Sequence, residues 1–209
     1  MARKPPTKPR KLATQQRSRA TVAALVEATA RILVREGFDK ASTNRIAQVA
    51  GVSVGSLYQY FPSKEALVLA VFERHNRQIM EVVESALSDL DSLPFDKAVR
   101  RLVEAAIEGH RVDPNLHCVL AEQIPRTGAL ADVDTANRAA LGRFWSYLES
   151  RREELGVADV ELAAFVCGTA IEALAHNAVL HHRDLASDDS VDALVDETTR
   201  LIVGYLKRH

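Results

Sequence analysis

An all-α fold is what this chain of 209 residues predicts, and three observations predict it. Apolar residues recur at i, i+3, i+4 and i+7 in segment after segment. No segment alternates apolar and polar residues as a half-buried strand would, and no internal repeat is present. Gly37, Gly51, Pro62, Pro94, Pro114 and Gly156 fall at the ends of the periodic segments, where helix-stopping residues belong. About nine helices result, arranged as a small three-helix N-terminal head and a larger helical body.

Residues 1–15 hold three prolines, five basic residues and no acid, the composition of a disordered basic arm. A long helix is predicted over 16–36, with Val22, Leu25, Val26, Thr29, Ile32 and Leu33 at helical spacing and Gly37 closing it before Phe38 turns inward. Residues 43–64, TNRIAQVAGVSVGSLYQYFPSK, then read as two short helices around a glycine turn and the start of a third. Thr43 caps the first, Ile46, Ala47 and Ala50 form its apolar face, and Gly51 supplies a left-handed stop. Ser53 caps the second, which turns Leu57 and Phe61 inward and leaves Val54, Gly55, Ser56, Gln59 and Tyr60 to face outward. Small Ala47, turning Gly51 and apolar Leu57 meet the needs of a helix-turn-helix: a close crossing, a sharp bend and a core anchor.

Ser63 caps a fourth helix that runs toward Leu90, leaves the head and enters the body. Further helices are predicted over 95–111, 115–124, 129–155, 159–183 and 189–207, with a loop over 125–128. The last carries Val191, Leu194, Val195, Thr198, Leu201, Ile202 and Tyr205 as one stripe, which calls for a partner helix. The domains expected are a basic arm over 1–15, a helix-turn-helix domain over 16–62 and an effector-binding and dimerisation domain over 63–209.

The charge distribution supports a nucleic-acid partner although the net charge, −1, does not. Residues 1–64 hold 12 Lys and Arg against three acids, a balance of +9; the rest hold 15 against 25, a balance of −10. A basic head on an acidic body directs one end to phosphates. Part of that surplus sits in the arm, which serves equally as a groove contact or as a solubilising tail. Cys118 and Cys167 lie in apolar helical surroundings and read as small core residues in a reducing, cytoplasmic compartment. No secretory signal and no apolar run long enough to span a bilayer is read, so no membrane partner is expected.

The segment Arg17–Leu67, about a quarter of the chain, resembles the TetR family of bacterial transcriptional regulators. The likeness rests on the long first helix, Thr43 before the second helix, the Leu57-Tyr58-x-Tyr60-Phe61 pattern and Ser63-Lys64-Glu65-x-Leu67. It implies a homodimer through the last two helices, a repressor bound to a palindromic operator in double-stranded DNA and a small effector bound in the body. The effector would tilt the fourth helix and change the separation of the heads. A rival reading is a DNA-bound protein with no transcriptional role, a nucleoid or division factor whose body docks a protein partner.

For DNA contact the candidates are Thr43, Asn44, Arg45, Ser53, Val54, Gly55, Ser56, Tyr58, Gln59, Tyr60 and Lys64. Thr43 stands at a helix N-terminus, where a hydroxyl and amides hold a phosphate. Small Ser53, Val54, Gly55 and Ser56 let the helix end approach closely, and Gln59 is the strong base-reading side chain. By resemblance, Tyr58, Tyr60 and Lys64 match positions that touch the DNA backbone. For the effector pocket the candidates are His110, Cys118, Glu122, Trp145, Glu172, His176 and Asn177, polar or aromatic residues in otherwise apolar helices. A hydrophobic or aromatic compound fits such helices. No metal-ligand pair, phosphate loop, nucleophile-base order or cofactor motif is found, so neither cofactor nor catalysis is expected.

Overall fold

The computed structural model describes residues 16–88, 90–127 and 141–207. Among these the fold is helical throughout: α1 (Gln16–Glu36), α2 (Thr43–Ala50), α3 (Val54–Tyr60), α4 (Lys64–Leu87), α5 (Phe95–Arg111), α6 (Pro114–Thr127), α7 (helical over 141–150), α8 (Val160–His181) and α9 (Val191–Leu206). The expected arm over 1–15 lies outside the described residues, as does the first part of the helix expected over 129–155.

Beyond shifts of one to three residues at the ends of α4, α8 and α9, three boundaries differ from the sequence reading. The N-cap of α2 is Ser42, whose Oγ accepts from the amide of Arg45 at 3.2 Å, so Thr43 is the first helical residue. Two adjacent residues could each cap, and the structure selects the earlier. Residues 125–127, expected in a loop, belong to α6; a proline in the last turn removes one hydrogen bond without ending the helix, and residue 128 lies outside the described residues. The helix expected to reach Leu155 stops at 150. A 3-10 turn over Arg152–Glu154 follows, and Leu155, 2% exposed, is extended and bridges Lys207. Arg151 pins this corner by donating to the carbonyls of Asp91 (3.2 Å) and Leu93 (3.0 Å).

Contacts divide the chain into two compact units: 1–76 with 115–130, and 77–114 with 131–209. In the first, α1 packs on α2 and α2 on α3, with Leu25, Leu33, Ile46, Leu57, Phe61 and Leu67 all fully buried. Gly37, at φ 80°, ends α1 by returning its amide to the Leu33 carbonyl at 3.1 Å, a backbone geometry that disfavours any side chain.

In the second unit α5 is the central helix and packs on both α8 and α9. Its core joins Val99, Leu102, Val103 and Ile107 to Phe144, Leu148, Ala163, Cys167, Ile171, Val195 and Ile202. Gly168 permits a close approach: a Cβ there would stand 2.9 Å from Leu141 Cδ1. Arg100 is ion-paired with Asp196 and Lys207 with Asp96 at the rim of this core. By length and composition α8 is apolar enough to cross a membrane, contrary to the expectation of no such run. Glu172 interrupts the apolar run after Ile171; Ala163, Ala164, Cys167, Ile171 and Ala175 are buried in the core described above.

Candidate nucleic-acid interface

The turn between α2 and α3 is built from local sequence. Gly51 adopts φ 68° and donates to the Gln48 carbonyl at 3.2 Å, while Val52 donates to Ala47 at 3.0 Å. This pair of bonds is the Schellman motif, which satisfies the last carbonyls of α2 and reverses the chain. Ser53 then caps α3 by accepting from the Ser56 amide at 3.0 Å. Ile46 and Ala47 on α2 and Leu57 on α3 are at most 1% exposed, so the two helices are anchored by the side chains expected to anchor them.

What this scaffold leaves outward is a short, polar edge. Asn44, Arg45, Ser53, Gly55, Tyr58 and Gln59 are exposed, and Thr43, Val54, Ser56 and Lys64 are partly exposed. Thr43 Oγ1 lies 3.1 Å from the Tyr58 hydroxyl, which places two hydroxyls side by side across α2 and α3. Ser53 and Ser56 hydroxyls form a second pair at 2.8 Å. Arg45 is shared with Glu36 at 3.0 Å and with Gln48 at 3.4 Å. Lys64 donates to the Phe38 carbonyl at 3.3 Å, its ammonium 3.9 Å from the centre of the Phe38 ring.

Tyr60 differs from its expected position. It is 8% exposed and belongs to the core, because Leu57, Tyr60 and Phe61 share the inner side of this two-turn helix. Tyr58, 41% exposed, is the tyrosine on the outer edge. The contacts by which Glu36 and Phe38 hold Arg45 and Lys64 are not announced by the sequence, since they join residues nine and 26 positions apart.

The residues read as an effector pocket do not gather as one group. His110 on α5 is buried, with Nδ1 2.8 Å from the Ala106 carbonyl and Nε2 3.2 Å from Glu172 Oε1 on α8. His176, one turn beyond Glu172, stands edge-on to His110 with ring centres 5.8 Å apart. Burial works against a charged His110, but the hydrogen bond and charge of Glu172 and the Ala106 carbonyl together hold it above its ordinary value. Burial and then the neighbouring His110 push His176 below its own.

Trp145 is 41% exposed while its neighbours Phe144 and Tyr147 are buried, so it faces away from the core that a pocket would open into. Asn177 is exposed and bonds the Ala173 carbonyl of its own helix at 2.8 Å. Cys118 is half-buried and belongs to the first unit; the Glu122 side chain lies outside the description. Burial pushes the Cys167 thiol up to about 11, the state of an unreactive core thiol. An open groove of about 550 Å³ lies elsewhere in the second unit, between α4 and α5, lined by Gln78, Glu81, Ser85, Arg101, Glu104 and Glu108 among others. None of the expected pocket residues lines it.

An all-α chain with a capped helix-turn-helix at its N-terminal end and an aliphatic helical body is a helix-turn-helix regulator. The chain belongs to the TetR family: the profile of bacterial regulatory proteins, tetR family, matches residues 25–71, and that of the tetracyclin repressor-like C-terminal domain matches residues 94–206, more than half of the chain. The nucleoid occlusion factor SlmA of Haemophilus ducreyi is 31% identical over 85 residues, 41% of this chain and 41% of that protein. The chain spans about half the length, or less, of the curated relatives first matched. A TetR-family regulator from Mesorhizobium loti has the same fold at TM-score 0.72 and 18% identity, over 93% of this chain and 100% of that one. The fatty acid degradation regulator FadR of Bacillus halodurans follows at TM-score 0.64 and 21% identity, over 87% and 94%.

Proposed function

We propose that the chain is a cytoplasmic, homodimeric repressor that places the N-terminal end of α3 in the major groove of a palindromic operator and is released by a small effector. The observation that carries this reading is the outward edge of α2 and α3, where hydroxyls and small side chains surround two helix N-termini. Thr43 and Tyr58, their hydroxyls 3.1 Å apart, hold one phosphate between them. Asn44, Arg45 and Lys64 flank it. Ser53, Val54, Gly55 and Ser56 line the approach of α3, and Gln59 reads a base edge. Tyr60 acts from the core, by fixing the pitch of α3.

The homodimer is supported by the outer faces of α8 and α9. Leu162 (56%), Phe165 (54%), Leu201 (59%) and Tyr205 (47%) are exposed there, on two helices packed on one another. Apolar side chains that large, grouped on adjacent helices, fit a second copy of the chain. Two-fold symmetry then requires two half-sites about one helical turn, or 34 to 36 Å, apart. The effector must bind the DNA-incompetent state more tightly, since equal affinity shifts nothing. The aliphatic body and the likeness to a regulator of fatty acid degradation support an apolar effector.

A second reading is favoured by one finding, the likeness to nucleoid occlusion factors. On that reading the body docks a protein partner and DNA binding serves for address. Selection of bound sequences from random duplex DNA separates the two. A discrete palindrome supports a repressor of particular genes, and sequence-blind recovery overturns it.

A further inference from the structure

His110, Glu172 and His176 form a polar group that α5 and α8 bring together beside the aliphatic core described above, and the DNA-binding edge uses none of them. A backbone carbonyl only accepts, so the 2.8 Å contact with Ala106 places a hydrogen on Nδ1 of His110. In the neutral ring Nε2 is then an acceptor, and it stands 3.2 Å from another acceptor, Glu172 Oε1. Two lone pairs at that distance require a positive species between them. A proton would satisfy this pair alone. A metal ion also employs the second imidazole: a nitrogen of His176 lies within 4.8 Å of one of His110.

We propose that His110, Glu172 and His176 bind a divalent transition-metal ion of the zinc type, and that this ion takes part in effector sensing. Two imidazoles and a carboxylate are a donor set for such ions, and a ligating histidine whose other nitrogen donates to a backbone carbonyl has the usual outer support. Two donors bound at 2.0 to 2.1 Å to one tetrahedral ion stand about 3.3 Å apart, which matches the His110 to Glu172 distance. His176, half-buried and edge-on to His110, supplies the second imidazole. Glu172, its side chain 53% exposed, gives the ion a route from solvent. Three protein donors leave a position open to water or to an oxygen of an effector. Inspection for two histidines on one helix misses this site, because its donors are divided between helices more than 60 residues apart.

The ion's binding stands on the geometry alone; its part in sensing rests on the reading of the body as effector-responsive. The full-length protein, stripped with a chelator, is titrated with Zn²⁺ alone by calorimetry, and with Co²⁺ by visible absorption. One ion per chain is expected, with an increase in the unfolding temperature. Glu172→Gln and His176→Ala, both on the accessible side and both checked for an unchanged metal-free unfolding curve, should each weaken binding at least about tenfold. Absence of stoichiometric binding, or binding that these variants leave intact, overturns the site. So does loss of binding in a His181→Ala/His182→Ala double variant, which retains the three donors. Duplex binding by the stripped protein is measured separately. Zn²⁺ should shift it; intact metal binding with no shift overturns the sensing role, whereas absence of duplex binding counts against the DNA-binding reading instead.

Discussion

The DNA-binding head and the helical body solve opposite problems. In the head, every candidate contact lies between Thr43 and Lys64, and caps and turns formed within a few residues fix its direction: Ser42 to Arg45, Gly51 to Gln48, Ser53 to Ser56. In the body, the polar residues that meet come from α5 and α8, and no local rule joins His110 to Glu172. A surface that enters a groove can be specified locally because it is convex and outward. Polar residues that meet inside a helical body are brought together by segments distant in the chain, as His110 and Glu172 are.

The largest effect that would break this contrast is Leu57→Ala. Loss of a fully buried leucine in so small a core should cost about 2 to 5 kcal/mol. Duplex binding should vanish while helical content falls only by the head's share, a split that thermal melts read by circular dichroism would reveal; one unchanged transition would show that the head does not depend on this anchor. Next is Phe165→Glu with Leu201→Glu. If these residues seat a second copy, each charge should weaken self-association by about 2 kcal/mol or more. Sedimentation would then show monomers with an intact fold, and a persistent dimer would move the interface elsewhere.

Gln59→Ala sharpens the head's division between reading and holding. It should relax preference at one base pair per half-site at a cost of about 1 to 3 kcal/mol, measured on duplexes altered one position at a time. Equal loss on all duplexes would make Gln59 a positioning residue. Gly51→Ala tests the turn: φ 68° costs an L-residue about 1 to 2 kcal/mol, so the melting temperature should drop without any change in base preference. Smallest is Ser42→Ala, about 1 kcal/mol through the lost cap, whereas Thr43→Ala should leave stability nearly unchanged and reduce DNA affinity. The reverse pattern would return the cap to Thr43.

The sequence made the head legible because its signals are short in range. Gly51, Ser53 and Leu57 each predict a backbone geometry or a burial that follows from neighbouring residues, and each is found. Tyr60 stands at i+3 from Leu57, the spacing that sets it on the inner side with Phe61, and the outward expectation gave that spacing too little weight. The end of α7 was misread because Leu155 answers to Lys207 at the other end of the body. Trp145 shows the same limit: an aromatic residue in an apolar helix suits a pocket or an outer face equally well until the helices pack. For the same reason no spacing rule could pair His110 with His176.

The central claim is that the α3 helices of two copies enter successive major grooves, and methylation protection on an enriched duplex tests it most directly. Guanine N7 protections related by a two-fold axis, centred about one helical turn apart and lost with Thr43→Ala and Gln59→Ala together, are the expected result. Protection that is absent, lacks symmetry or survives both substitutions would contradict it.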